Sequence, residues 1–162
     1  MKHRKPNRLQ GYDYSQDNLY FITSCVHNMI CCFGEVVGAA QDPSLQGPVM
    51  ILNEYGKIAG RQWYWLAEQY QYVVLHEFIV MPNHIHGIIE INSDAVPGEI
   101  KIKSLSQLMG AYKTTVSKQI HLAGYEHFRW QRSFHDRIIR DQKSYETISN
   151  YIRNNPRMWL SR

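Results

Sequence analysis

The chain has 162 residues, 44% of them hydrophobic and 20% charged, a globular composition that excludes intrinsic disorder and suits one domain with an ordinary buried core. No apolar run approaches the about 18 residues a membrane span needs, and Met1, Lys2, His3, Arg4 and Lys5 lead into no hydrophobic signal segment, so a soluble, unexported chain is expected. The three cysteines, Cys25, Cys31 and Cys32, are odd in number and form no CxxC pair, which speaks against a disulfide frame or a structural zinc site and fits a reducing cytoplasm.

The net charge of +4 is unevenly spread. Residues 1–8 carry four basic side chains and no acid, residues 9–100 carry two against ten, and residues 101–162 carry twelve against four. A basic arm at about residues 1–10 and a basic C-terminal third are what a polyanion binder needs, because Lys and Arg displace condensed counterions from phosphates. The alternative is a solvated basic face paired with acids from the middle of the chain.

In chain order, Leu19–Val26 is rich in β-branched and aromatic residues and predicts a strand. The stretch Asp42–Pro48, with two Pro and a Gly, predicts a loop. Asn53 is placed to cap a helix whose apolar positions Tyr55, Ile58, Ala59, Trp63, Leu66, Ala67 and Tyr70 keep to one face. Tyr72–Met81 and His84–Asn92 are apolar runs joined by Pro82-Asn83 and predict an antiparallel hairpin. Ser104 and Gln107 make a capping box ahead of Leu105, Leu108, Met109, Tyr112, Val116 and Ile120, a second amphipathic helix ending near Gly124. Phe134–Ile139 predicts a short strand, and Asp141 caps a last helix through Tyr145, Ile148 and Ile152 to a stop at Pro156. Strand, helix, strand, strand, helix, strand, helix, with a central hairpin and helices able to cover one face, predicts an α+β fold of the ferredoxin-like kind in a single domain over 1–162.

Three segments can carry chemistry. In Met81-Pro82-Asn83-His84-Ile85-His86-Gly87, residues two apart on a strand share a face, so His84 and His86 stand side by side while Ile85 points to the opposite layer. Imidazole suits a divalent metal, and Glu90 lies on the same face if the strand stays regular; exposed or hydrogen-bonded histidines are the alternative. In Tyr151-Ile152-Arg153-Asn154-Asn155-Pro156, spacing by four puts the Tyr151 phenol and the Asn155 amide on one helix face, only approximately, since the residue before Pro disfavours the α conformation. A surface tyrosine near a helix end is the alternative. In Trp130–Arg140 the arginines could hold phosphates and the aromatics stack on bases, or Trp130 and Phe134 could belong to the core. Tyr112, a rival nucleophile, lies on the apolar stripe of its helix and reads as core.

Taken in order, these residues resemble the REP-associated tyrosine transposases and, more distantly, the short insertion-sequence transposases of the single-tyrosine HUH class. The resemblance rests on Gly11-Tyr12-Asp13-Tyr14-Ser15, Tyr20-Phe21-Ile22-Thr23, Leu52-Asn53-Glu54-Tyr55-Gly56, Met81–Gly87, Trp130-Gln131, Arg137-Ile138-Ile139-Arg140 and Tyr151–Pro156, spread along nearly the whole chain. It implies that His84 and His86 are metal ligands, that Asn155 supplies a third, that Tyr151 is the nucleophile, and that the ion is Mg²⁺ or Mn²⁺. It further implies transesterification on single-stranded hairpin DNA through a 5′-phosphotyrosine link, by a monomer or homodimer in the cytoplasm at the nucleoid. Lys2, Arg4, Lys5, Arg8, Arg129, Trp130, Arg132, Arg137, Arg140, Arg153 and Arg157 are the candidate DNA contacts. A non-catalytic nucleic-acid-binding module and a metal-dependent nuclease that activates water are the rival classes.

Overall fold

The computed structural model describes Tyr14 and residues 18–162; the basic arm with Lys2, Arg4, Lys5 and Arg8 lies outside the described residues. Among the described residues six strands and four α-helices follow one another: β1 (Asn18–Cys25), β2 (Gly34–Val37), β3 (Val49–Leu52), α1 (Glu54–Gln69), β4 (Val73–Met81), β5 (His84–Ile91), α2 (Leu105–Leu122), β6 (His135–Ile139), α3 (Gln142–Arg153) and α4 (Asn155–Leu160). Strands β4, β5, β1 and β6 lie in that order in one sheet, all antiparallel. The first strand of this sheet is thus central and the hairpin β4–β5 lies to one side, the α+β arrangement expected from the sequence. No helix among the described residues is long and apolar enough to cross a membrane.

The helices begin where their caps lie. Asn53 accepts from the backbone N–H of Tyr55 and Gly56, both at 3.0 Å. Ser104 and Gln107 complete a reciprocal capping box, and Asp141 accepts from Ser144 N–H at 2.7 Å. Helices α1 and α2 cover one face of the sheet, where Ile58, Trp63, Leu66, Leu108, Met109, Tyr112 and Val116 bury against Tyr20, Ile22, Ile85 and Ile89. Tyr112 is fully buried, its hydroxyl donates to the Ala59 carbonyl at 2.9 Å, and burial holds the phenol well above its usual range, so it is core, as its stripe predicts.

The opposite face carries a second, smaller core. Ile148 and Ile152 of α3 bury against Ile88 and Ile139, with Leu19, Phe21, Ile79 and Tyr145 at its edge. Strand β5 is therefore covered on both faces, Ile85 and Ile89 facing one way and His84, His86 and Ile88 the other.

Two departures from the sequence reading concern short elements. Strands β2 and β3 form a separate two-stranded sheet, and with four residues each they are too short to show an alternation. Pro156 does not stop the last helix. The chain breaks at Asn154 (φ −90°, ψ 5°) and restarts as α4 with Pro156 in its first turn, where its missing N–H costs nothing because first-turn donors have no intrahelical partner.

Candidate active site

Register across the sheet decides which side chains meet on the α3 face. Thr23 lies directly opposite His86 on one side and His135 on the other, Phe21 lies between Ile88 and Arg137, and Cys25 faces His84. The two imidazoles that the sequence puts on one face stand with ring centroids 4.6 Å apart and are buried, 5% and 6% exposed. Each is anchored by a side chain that sequence reasoning missed. His84 Nδ1 lies 2.7 Å from Asn83 Oδ1, which can only accept, and His86 Nδ1 lies 2.7 Å from Thr23 Oγ1. With Nδ1–H donating in each ring, the His86 Nε2 lone pair is left free, while His84 also hydrogen-bonds the Asn155 side chain. This is how outer hydrogen bonds commonly orient imidazole ligands.

Burial is the main cause that pushes His84 down to about 4, a hydrogen bond with the Asn155 side chain opposing it and the Arg162 cation acting in the same direction as burial. Burial, then the neighbouring His84 and Arg162, push His86 down to about 3. Both rings are therefore neutral at physiological pH, the state in which a histidine can ligate.

Helix α3 brings Tyr151 to the pair within the same chain. Its ring meets His86 at 5.4 Å and Phe21 edge-on at 6.1 Å, and it remains 38% exposed. Asn155, 3% exposed, donates from Nδ2 to the Tyr151 carbonyl at 3.1 Å, satisfying a carbonyl at the end of α3, and its side chain also hydrogen-bonds His84. The helix break at Asn154 therefore does not separate the two residues: the amide still reaches back across it. Glu90, on the same face, is diverted elsewhere. Its carboxylate lies 2.8 Å from His76 Nε2, and His76 Nδ1 lies 2.9 Å from the Tyr145 hydroxyl.

Among the described residues no group of three or more His, Cys, Asp and Glu is placed to hold a metal ion. A site here would need the Asn155 amide oxygen beside the His84 and His86 nitrogens. Those three donors suit Mn²⁺ or Mg²⁺ completed by phosphate oxygens and water. Trp159 packs 6.2 Å from His84 under the Arg162 guanidinium, and neither was foreseen, since short α4 carries no periodic signal.

The remaining candidates are scattered. Arg137 is exposed on the site face opposite Phe21. Arg153 is ion-paired to Glu77 at 2.5 Å and bonded to Asn150. Arg129 donates to His27 Nε2 at 2.9 Å, away from the histidine pair. Arg132 lines an open groove of about 760 Å³ with Lys113, Lys118 and His121, which contains none of His84, His86, Tyr151 or Asn155. Arg140 and Arg157 are exposed. Trp130 corrects an expectation: at 8% exposed it packs against Phe33, Tyr112 and Phe128, and its indole N–H donates to the Lys113 carbonyl, so the ring is core and not a platform for a base.

Both the sequence and the fold are matched among known proteins. The family described as "Transposase IS200 like" matches residues 63–155, which include both histidines, Tyr151 and Asn155. A Haemophilus influenzae protein of uncharacterized role is 34% identical over 97% of this chain and 90% of its own length. Among solved structures, a REP-associated tyrosine transposase bound to a REP hairpin superposes with TM-score 0.57 at 17% identity, over 92% of this chain and 72% of that one. A Deinococcus radiodurans protein assigned as a transposase gives TM-score 0.52 at 14% identity, over 91% and 95%. The chain belongs to the IS200-like transposase family.

Proposed function

We propose that this protein cuts and rejoins single-stranded DNA beside a hairpin, using Tyr151 as nucleophile and a phosphotyrosine intermediate. The observation that carries the reading is the meeting, in one chain, of the exposed Tyr151 ring with the buried, neutral His84–His86 pair and the Asn155 amide. The solved REP-associated relative is bound to a REP hairpin, which supports hairpin DNA as the substrate class.

His84, His86 and Asn155 would hold Mg²⁺ or Mn²⁺, which when bound supplies positive charge to the phosphate oxygens. The chain's own residues do the rest. Phe21 and His86 hold the Tyr151 ring edge-on and limit its rotamers, so that the phenolic oxygen is presented from the open side of α3. That oxygen attacks phosphorus, the bond to the 3′-oxygen breaks, and a 5′-phosphotyrosine forms. Attack by another 3′-hydroxyl reverses the step and joins strands. Because the covalent link conserves the phosphodiester energy, no nucleotide cofactor is needed.

The test is incubation with a panel of labelled hairpin oligonucleotides carrying single-stranded flanks, in Mn²⁺, followed by denaturing electrophoresis. A protein–DNA adduct is expected from the wild type and none from Tyr151→Phe, with DNA binding retained. An adduct that persists in Tyr151→Phe refutes the nucleophile; cleavage without an adduct indicates attack by water; binding without cleavage indicates a binding protein.

A further inference from the structure

Helix α3 packs chiefly on β4 and β5 and reaches Ile139 at the end of β6, while His135 and Arg137 at the other end of that strand stay exposed. The row that holds His86 and Thr23 ends, one strand further, at His135. His135 is exposed, and its ring makes no hydrogen bond among the described residues. The other imidazoles of this face are engaged: His84 and His86 by Asn83 and Thr23, His76 by Glu90 and Tyr145. Two residues on, Arg137 stands on the same face beside Phe21, the residue against which Tyr151 rests. A narrow cleft lined by Thr23, Cys25, Arg132, Ser133 and His135 opens beside the row.

Strands lie about 4.8 Å apart, so His135 is about 10 Å from His86 across the sheet. A phosphorus atom undergoing in-line displacement needs the nucleophile on one side and the leaving oxygen on the other. With Tyr151 over His86 and Phe21, the side away from α3 is the side of His135. We infer that His135 is the general acid of the reaction, protonating the leaving 3′-oxygen, while Arg137 grips the same phosphate. This rests on the Tyr151 reading above and assigns the leaving-group side that it left open.

The Tyr151 oxygen forms a bond to phosphorus and its proton passes to solvent; the phosphorus–3′-oxygen bond breaks; the 3′-oxygen takes the proton of the His135 imidazolium, which is left as neutral imidazole. In the reverse step that neutral imidazole takes the proton of the incoming 3′-hydroxyl, the phosphorus–tyrosine bond breaks, and the phenolate takes a proton from solvent.

The test compares an ordinary hairpin oligonucleotide with one in which sulfur replaces the leaving 3′-oxygen, since a thiolate leaves without an acid. Single-turnover adduct formation by His135→Ala and His135→Gln is expected to fall about a hundredfold or more on the oxygen substrate, the usual weight of a general acid, and to stay within a few-fold of wild type on the sulfur substrate. Arg137→Ala should lose rate on both substrates, with partial recovery in Arg137→Lys. Equal loss on both substrates in the His135 variants, or no loss on either, overturns the acid role while leaving Tyr151 as nucleophile. Absence of an adduct from wild type with every hairpin overturns both readings together.

Discussion

Gly87 follows the two histidines directly, and its replacement by alanine tests how their strand is held. It lies opposite Phe78 in the β4–β5 register, under a Trp63 ring that stacks on Phe78 with centroids 4.5 Å apart and planes 7° from parallel. A Cβ at Gly87 would lie 2.7 Å from Trp63 Cη2 and Cζ2 and 3.1 Å from Phe78 Cδ2. Carbon atoms pack best at about 3.5–4.0 Å, so roughly 1 Å must be found. Trp63 cannot yield it: the ring is fully buried, with Tyr112 edge-on at 5.9 Å. The strand must bow toward the other face, displacing His86 and Ile88. Overpacking of this kind costs about 1–3 kcal/mol, and the upper part of that range is expected because one partner in the clash is backbone-borne. Urea unfolding followed by tryptophan fluorescence measures the cost, and Mn²⁺ titration measures what the shift does to the site. In a cycle with Trp63→Leu, which opens the slot, Gly87→Ala should become cheaper by at least about 1 kcal/mol. Gly87→Ala within about 0.5 kcal/mol of wild type, or additivity with Trp63→Leu to that tolerance, refutes the steric account.

Other expectations concern the site residues one at a time. Tyr151→Phe should abolish the adduct at unchanged urea midpoint, because its hydroxyl lies on an exposed side chain, whereas Tyr112→Phe should keep the adduct and cost about 1 kcal/mol by removing the bond to Ala59. Asn155→Ala should weaken Mn²⁺ binding in isothermal titration at least tenfold; unchanged affinity removes Asn155 from the ligand set. Acid should destabilise the fold through the histidine pair. In the folded chain both stay neutral down to about 4 and about 3, while an unfolded histidine takes a proton near 6.5, so stability is full above that pH and falls as pH drops below it. From pH 6.5 to 5 this amounts to about 2 kcal/mol per histidine, and urea unfolding in the presence of a chelator should show a shallower pH dependence in His84→Gln and His86→Gln than in wild type. Equal slopes in wild type and both variants would falsify the buried, neutral assignment.

How far the sequence disclosed this arrangement depends on the length and redundancy of each signal. Helices α1 and α2 carry both a cap and several turns of periodic apolar residues, two signals that agree, and they appear where expected. The His84–His86 strand was placed correctly, and its covered state was written in its neighbours: Ile85, Ile88, Ile89 and Ile91 make a near-continuous apolar run, the mark of a strand buried on both faces. The Asn83 and Thr23 anchors were not legible, because one depends on a turn conformation and the other on a register 63 residues away. Trp130 failed for a different reason. An aromatic beside arginines reads equally as a stacking platform or as core, and only the packing of Phe33, Phe128 and Tyr112 around it decides.

The charge pattern can now be tested arginine by arginine. Arg153, in the basic C-terminal third, is tied to Glu77 of the acidic middle and to Asn150, so a phosphate could be gripped there only by exchanging one anion for another. That exchange releases no condensed counterion on balance. Arg132 and Arg137 are exposed, and among the described residues Arg132 forms no ion pair. Each phosphate contact to a single strand contributes about 0.7 to the slope of log affinity against log salt. Replacing Arg132 or Arg137 by Gln should lower that slope by about 0.7, whereas Arg153→Gln should leave it unchanged within error. Fluorescence anisotropy of a labelled hairpin oligonucleotide between 50 and about 300 mM salt measures all three, a range over which such contacts change affinity strongly. A fall in slope for Arg153→Gln equal to the others would mean that DNA displaces Glu77, and that the α3 end of the site, with Tyr151 two residues before Arg153, is rearranged on binding.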